Sequence, residues 1–303
     1  MSSAMDRHLL YLINPISGSR TKSGLQDLIE TKTRAAGLKY TIQHSVANAN
    51  YSHLHPFIEG EKVTDIVIAG GDGTVNGALN HFQNFDLSFG IIPCGSGNGL
   101  AFGAGIPKQW DGALDVIFRG NAMSTDAFLI NGSFACMLCG LGFDAHVAHQ
   151  FANDPSRGLS TYIKKTLAHF FTAKAYPFTI RSGEEELQTE ALFISIANSN
   201  QFGNHFTIAP HASLKDGLLD IVIVAKQTKL SMLLQTIRQV RGFNQLHTAK
   251  IGNSKAAVLY FQTEALHIEN PASAPLHIDG DPAPTAATFE IKILKDCFRL
   301  IYP

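Results

Sequence analysis

The sequence predicts an α/β protein in two parts, a helix-covered parallel sheet followed by a second, mainly β domain. Three observations predict it. Strand and helix signals alternate up to Arg119, glycine-dense turns stand where strands give way to helices, and after about Ser124 the rhythm changes to closely spaced strands. The composition change places the boundary so that one domain covers 1–123 and the other 124–287.

The elements follow in order. Leu9–Ile13 is an apolar strand, and Gly24–Ala36 carries Leu25, Leu28 and Ile29 at helical spacing before Gly37. Lys39–His44 reads as a strand, His53–Glu59 as a short helix, and Ile66–Ala69 as a buried β-branched strand. Val75–Phe82 is a helix, Ser88–Ile92 a strand and Trp110–Arg119 a helix. This βαβα order implies parallel strands with helices over them. Ala127–Ile130, Ser133–Cys139, Phe178–Arg181, Glu190–Ala197, Leu219–Val224, Ala257–Gln262 and Ala265–Glu269 then read as antiparallel strands. Amphipathic helices near Leu159–Thr172 and Leu230–Gly242 interrupt them, and Thr288–Ile301 is a final strand.

The chain has 303 residues, 45% hydrophobic and 16% charged, with a net charge of -1, ordinary figures for a soluble globular protein. Residues 157–255 carry 12 Lys/Arg against 6 Asp/Glu between acidic flanks. That suits an anionic partner or membrane surface as well as an uneven solvated face. No apolar run approaches the ~20 residues of a membrane span. The apolar run Leu9–Ile13 is too short for a signal-peptide core. A cytoplasmic protein with at most peripheral membrane contact is expected, and no nucleic-acid partner. Cys136-Met137-Leu138-Cys139 lacks a second such pair and is uniformly apolar, so it reads as buried thiols.

Chemistry gathers in the turns. Gly70-Gly71-Asp72-Gly73-Thr74-Val75-Asn76 joins a strand to a helix start, where bare amides and a partial positive charge can face a phosphate. Asp72 repels phosphate, so it makes sense where a metal ion or hydroxyl proton is handled. Asn14-Pro15-Ile16-Ser17-Gly18 and Pro93-Cys94-Gly95-Ser96-Gly97-Asn98-Gly99 also follow strands. In a parallel sheet all three loops would converge on the carboxyl edge, where ligands bind. Two acidic clusters lie downstream, Asp216-Gly217-Leu218-Leu219-Asp220 and Asp279-Gly280-Asp281. Taken alone, the first is a turn and the second a hairpin tip.

Together, Asn-Pro-x-Ser-Gly, Gly-Gly-Asp-Gly-Thr-x-Asn, Pro-x-Gly-Ser-Gly-Asn, Asp-Gly-x-Leu-Asp and Asp-Gly-Asp resemble, in order, the lipid kinase family of diacylglycerol, sphingosine and ceramide kinases. The match runs from Asn14 to Asp281, and Asn198–Gly203 and Ile208–Pro210 look like the family's second domain. The resemblance implies a three-layer nucleotide-binding domain, a β-sandwich lipid domain with the active site in the interdomain cleft, and 288–303 returning to the first domain. It implies ATP phosphates on Asn14, Pro15, Ser17 and Gly18 and on Gly70, Gly71, Gly73, Thr74 and Asn76. Ser45, Gly95, Ser96, Gly97 and Asn98 complete the nucleotide set. Asp72, Asp279 and Asp281 are the implied catalytic carboxylates, with either of the last two as base and Asp279 ahead because it occupies the unchanged family position. Asp216 and the carbonyls of Ser213 and Leu218 are implied to hold a structural Mg²⁺, a donor set that suits a hard cation. The implied acceptor is a lipid alcohol at a membrane surface, and a homodimer is allowed for.

The chain departs from the family at three positions: Gly77 where Glu is usual, Gly99 where diacylglycerol kinases carry Asp, and Asp281 where Glu is usual. Gly77 costs the helix about 1 kcal/mol relative to Ala. An NAD kinase-like enzyme, or a catalytically impaired nucleotide- or lipid-binding protein, are the alternatives. The apolar face of Leu159, Tyr162, Ile163, Leu167, Phe170 and Phe171, beside Lys164 and Lys165, reads as core packing, with a membrane-surface element as the other reading.

Overall fold

A computed structural model of the chain describes residues 7–16, 24–152, 173–201, 209–226 and 257–303, with the backbone alone at 149–152. Ser17, Gly18 and the expected helices at Leu159–Thr172 and Leu230–Gly242 lie outside the described residues. The chain forms two compact units, one ending at Asp126 and taking back Lys295–Pro303, the other spanning Ala127–Leu294.

In the first unit, strands β1 (His8–Ile13), β2 (Lys39–His44), β3 (Asp65–Gly70) and β4 (Ser88–Pro93) make a parallel sheet in the order β4-β3-β1-β2. Arg299 and Leu300, near the end of the last strand, add in parallel beside β4. Side chains alternate between faces along a strand. Leu9, Tyr11, Ile13 and Val67 pack with Leu25 and Ile29 of α1 (Leu25–Ala35) and Leu114 and Ile117 of α5 (Trp110–Arg119). By the same alternation Leu10, Leu12, Ile66 and Ile68 serve the opposite face. There α3 (Asp72–Phe82) packs on β3 and buries Val75, Ala78, Leu79 and Phe82. Between β2 and β3 a 3-10 turn at Ser52–Leu54 leads into α2 (His55–Gly60). Arg7 pins three element ends: its guanidinium forks onto Asp65 at 2.8 and 3.1 Å and donates to the carbonyls of Ile117 and Phe118. Those carbonyls carry the negative end of α5, so the cation also offsets a helix dipole.

The second unit is the β-sandwich. Its strands are the end of β5 (Ala122–Ile130), β6 (Ser133–Ala135), β7 (Leu138–Gly142), β8 (Tyr176–Ser182), β9 (Glu185–Ala197), β10 (Leu219–Ala225), β11 (Val258–Thr263), β12 (Ala265–Glu269), β13 (Leu276–Ile278), β14 (Asp281–Ala283) and the start of β15 (Thr288–Ile301). The pairings of β9 with β7, β8 and β10, of β10 with β11, of β12 with β8 and β15, of β13 with β7 and β14, and of β5 with β6 are antiparallel. Phe178, Ile180, Ile194, Ile196, Ile221 and Ile268 lie in its core, each burial contributing about 1.5–3 kcal/mol. A helix absent from the sequence reading, α6 (Phe143–Ala152), follows β7.

Two expectations need correction. Ser133–Cys139 is not one strand, because side chains elsewhere in the unit capture the backbone of Cys136 and Met137 and break the ladder there. The helix after the second glycine loop starts at Asp72 rather than Val75, with Gly71 as an extended N-cap. Asp72, Gly73 and Thr74 are therefore its first turn, not a preceding loop.

Candidate active site

The register of the parallel sheet builds the first half of the site. Ile13 pairs with His44 and with Ala69, and Gly70 pairs with Pro93, so the four strands end level. The segments that follow, from Asn14, Ser45, Gly71 and Cys94, therefore leave the same carboxyl edge. Main-chain bonds hold them there: Asn14 N–H donates to Ala69 O, Ser45 N–H to Ile13 O and Cys94 N–H to Gly70 O. Beyond Ser45 lies an open groove of about 580 Å³ lined by Val46, Ala47, Asn48, Asn50, Ser52 and His53.

The glycines at this edge let two backbones touch. A Cβ on Gly95 would lie 2.5 Å from Gly71 Cα, and one on Gly97 would lie 2.6 Å from Asp72 Oδ2. Asp72 itself clamps the third loop. Its Oδ2 accepts the N–H of Asn98 and its Oδ1 that of Gly99, both at 2.7 Å. Gly99 opens the short helix α4 (Gly99–Gly103), so the carboxylate also sits at a helix start, where negative charge is favoured. Asn98, at φ 56°, folds its own loop by exchanging two hydrogen bonds with the backbone of Gly95. Asn14 spans to the second loop, its Nδ2 donating to Thr74 Oγ1 at 2.7 Å while its Oδ1 accepts Ile16 N–H. Pro15 and Ile16 are exposed, Ser96 is half-buried beside Gly97, and Asn76 is half-buried on the first turns of α3.

Gly77 has a packing reason. A Cβ there would stand 2.6 Å from Ala49 Cβ, and Ala49 adopts φ 51° in the segment after β2. That segment occupies the space a longer side chain at 77 would need.

In the second unit Asp279 and Gly280, at φ 50° and 89°, form the two-residue turn of the β13–β14 hairpin. Asp279 is 7% exposed and its carboxylate points inward. Oδ1 accepts the N–H groups of Met137 and Leu138 at 2.9 and 3.0 Å, and Oδ2 accepts that of Cys136 at 3.0 Å. The Cys136 thiol donates to Oδ2 as well. Asn198 completes this clamp by donating to Cys136 O, while the N–H groups of Asn198 and Ser199 donate to Met137 O. Asp281, one residue past the turn, is exposed. The two carboxylates of the motif thus sit in opposite environments. Cys139 is buried too, and burial first, then the nearby Asp279 and Asp144, push its thiol well above the ordinary range.

Ser213, Asp216 and Leu218 share the turn that leads into β10. Asp216 Oδ1 accepts Leu218 N–H at 3.1 Å, and Gly217 at φ 70° reverses the chain. A carboxylate and two main-chain carbonyls within six residues are hard oxygen donors, so the turn fits Mg²⁺ chemically. Beside it Asp220 is buried, and burial raises its carboxyl despite hydrogen bonds from Tyr260 and Gln262.

Sequence reading missed the residues beneath the hairpin. His277 is fully buried and its Nε2 lies 3.4 Å from Asp144 Oδ2, on the first turn of α6. The one signal available was the glycine-dense Gly140-Leu141-Gly142-Phe143-Asp144, whose first glycine makes room for both.

Glycine loops at one carboxyl edge, followed along the chain by a sandwich with an Asp-Gly-Asp hairpin, are what the family models of diacylglycerol kinase-type lipid kinases match in this chain. Residues 8–130 match the model of the diacylglycerol kinase catalytic domain, and 138–301 that of the YegS C-terminal NAD kinase beta sandwich-like domain. The chain belongs to the YegS/diacylglycerol kinase-like family of lipid kinases. It is 25% identical to the Shewanella frigidimarina protein named "Probable lipid kinase YegS-like", over 80% of this chain and 78% of that one. The Citrobacter koseri protein of the same name is 29% identical over 80% and 79%. A crystal structure of a diacylglycerol kinase from Bacillus anthracis shares the fold at a TM-score of 0.75 and 19% identity, covering 100% of this chain and 98% of that one.

Proposed function

We propose that this kinase transfers the γ-phosphate of ATP to the hydroxyl of a membrane lipid, a diacylglycerol or a sphingoid- or ceramide-type alcohol. The observation that carries the reading is the level carboxyl edge, where the segments after β1, β3 and β4 leave together and the first turn of α3 opens behind Gly71. Amides at such a helix start favour phosphate. Asn14, Pro15, Ser17, Gly18, Gly70, Gly71, Gly73, Thr74, Asn76 and Gly95–Asn98 would hold the phosphates, with Ser45 and the adjoining groove taking the nucleoside.

Asp281 is the proton acceptor on this reading, since it is exposed whereas Asp279 is buried with its carboxylate turned inward. The lipid hydroxyl loses its proton to Asp281 as its oxygen bonds to the γ-phosphorus. The bond from that phosphorus to the β,γ-bridging oxygen breaks and ADP leaves. Asp72, its carboxylate fixed by Asn98 and Gly99, would help hold a magnesium ion bound with the nucleotide, and that ion would supply positive charge against the phosphates. A separate Mg²⁺ held by Asp216 and the carbonyls of Ser213 and Leu218 would brace the turn before β10, with no part in the transfer. Membrane contact is peripheral on this reading, and none of the described helices is long and apolar enough to span a bilayer.

Incubation with labelled ATP, Mg²⁺ and mixed micelles of single lipids tests it. Label in an organic-phase product from a diacylglycerol, sphingoid base or ceramide supports the reading. Label appearing only in NADP when NAD is offered would replace it with an NAD kinase, a reading prompted by the description of the matching carboxyl-terminal domain.

A further inference from the structure

We propose that His277, braced by Asp144, is a positioning residue that fixes the Asp279–Asp281 turn through its Nδ1 atom. This rests on Asp281 being the proton acceptor proposed above.

The argument starts from the ring's two nitrogens. Gly280 N–H donates to His277 Nδ1 at 3.3 Å, across the turn. Nδ1 must then be the unprotonated nitrogen, which leaves the proton on Nε2. Nε2 faces Asp144 Oδ2 at 3.4 Å, and Asp144 Oδ1 is held by Ala145 N–H at 2.8 Å. The carboxylate therefore selects the tautomer that can accept from Gly280, as a carboxylate does when it orients a neighbouring imidazole.

Space was cleared for this arrangement. His277 and Gly140 are register partners on β13 and β7, and a Cβ on Gly140 would land on Asp144 Oδ2 and 2.5 Å from His277 Nε2. The pair is buried, His277 at 0% and Asp144 at 6% exposure. An imidazole and a carboxylate withdrawn from water in this way are costly unless their hydrogen bonds are met. An apolar pair would fill the same volume at less cost, but it would leave Gly280 N–H without this acceptor. Asp279 anchors the near side of the turn to Cys136–Leu138, and His277 anchors Gly280, so Asp281 leaves the turn in one direction.

Asparagine and glutamine separate the two nitrogens. His277→Asn keeps a polar atom at the Nδ1 position, and His277→Gln keeps one at the Nε2 position. Steady-state kinetics with ATP and the lipid accepted by the unmodified enzyme are read beside thermal melting. His277→Gln is expected to lower kcat by about a hundredfold, the scale of a misplaced reacting group, with KM for ATP unchanged. His277→Asn recovers most of that loss although it melts no higher than His277→Gln. Equal kcat in the two variants, or losses that follow melting temperature alone, would overturn the inference. If the unmodified enzyme phosphorylates no lipid, the proposed function fails instead. The inference is then decided by protease cleavage or amide exchange at 279–281: faster in the Gln than the Asn variant supports it, and equal rates overturn it.

Discussion

Asp72 accepts the main-chain N–H of Asn98 at 2.7 Å, and its second oxygen takes that of Gly99 at the same distance. The one acidic residue among the glycines of its turn thus has a structural task. It joins the loop after β3 to the loop after β4 and fixes the carboxylate's direction. Asp72→Ala leaves two N–H groups without this partner, and should cost about 1–3 kcal/mol in urea-melt stability. Asp72→Asn keeps one oxygen and should melt between the two, yet lose phosphoryl transfer as fully as Asp72→Ala. Activity tracking stability across the three proteins would reduce Asp72 to a clamp.

Asp279 and Asp281 should part company under mutation. Asp279→Ala strands the N–H groups of Cys136, Met137 and Leu138, and is expected to cost at least about 3 kcal/mol. Asp281→Asn is an exposed change expected to alter stability by less than about 0.5 kcal/mol. On the proposed mechanism it nevertheless lowers kcat by about 100-fold or more, the usual worth of a general base. Calorimetry beside turnover separates the two effects, and a stable Asp279→Ala protein would contradict the hydrogen-bond account.

Gly77 tests packing against the segment after β2. Gly77→Glu drives its Cβ into Ala49, which should destabilise the fold by about 1–3 kcal/mol. Ala49→Gly removes the obstructing methyl and also suits the left-handed backbone there. The double variant should therefore recover most of the loss, and additive losses would show that the two residues do not oppose each other.

His81 gives the first unit an acid limit. Its Nε2 lies 2.8 Å from that of His55, and burial, then the charges of His55 and His53, push its pKa below the ordinary value. The folded state thus binds this proton less readily than the unfolded chain. The contribution is present above the ordinary histidine pKa of about 6.5 and is lost as pH falls through the lowered value. Thermal melts of the protein between pH 7.5 and pH 5 should fall, and His81→Gln should flatten that slope. An unchanged slope would remove His81 from the acid response.

Much of the carboxyl edge was legible because close approach of one backbone to another demands glycine at strand ends, and glycine is visible in a sequence. Gly70, Gly71, Gly95 and Gly97 announced their loops in this way, and Asp279-Gly280 carried the composition of a two-residue turn. Roles that depend on what a side chain touches were hidden. Nothing about Asp279 signalled that amides more than 140 residues away occupy its carboxylate. The break at Cys136 and Met137 was invisible for the same reason, since the local run is uniformly apolar and favours an unbroken strand. Gly77 read as a weakness in a helix until its neighbour across space, Ala49, supplied the cause. His277 and Asp144 are 133 residues apart and share no motif.

The most direct measurement is the transfer of labelled γ-phosphate from ATP to lipid by the unmodified protein and by Asp281→Asn at equal folded concentration. The account predicts a labelled phospholipid from the unmodified protein and about 100-fold less from a variant that melts at the same temperature. Equal labelling by the two proteins, or label in no lipid at all, would contradict it.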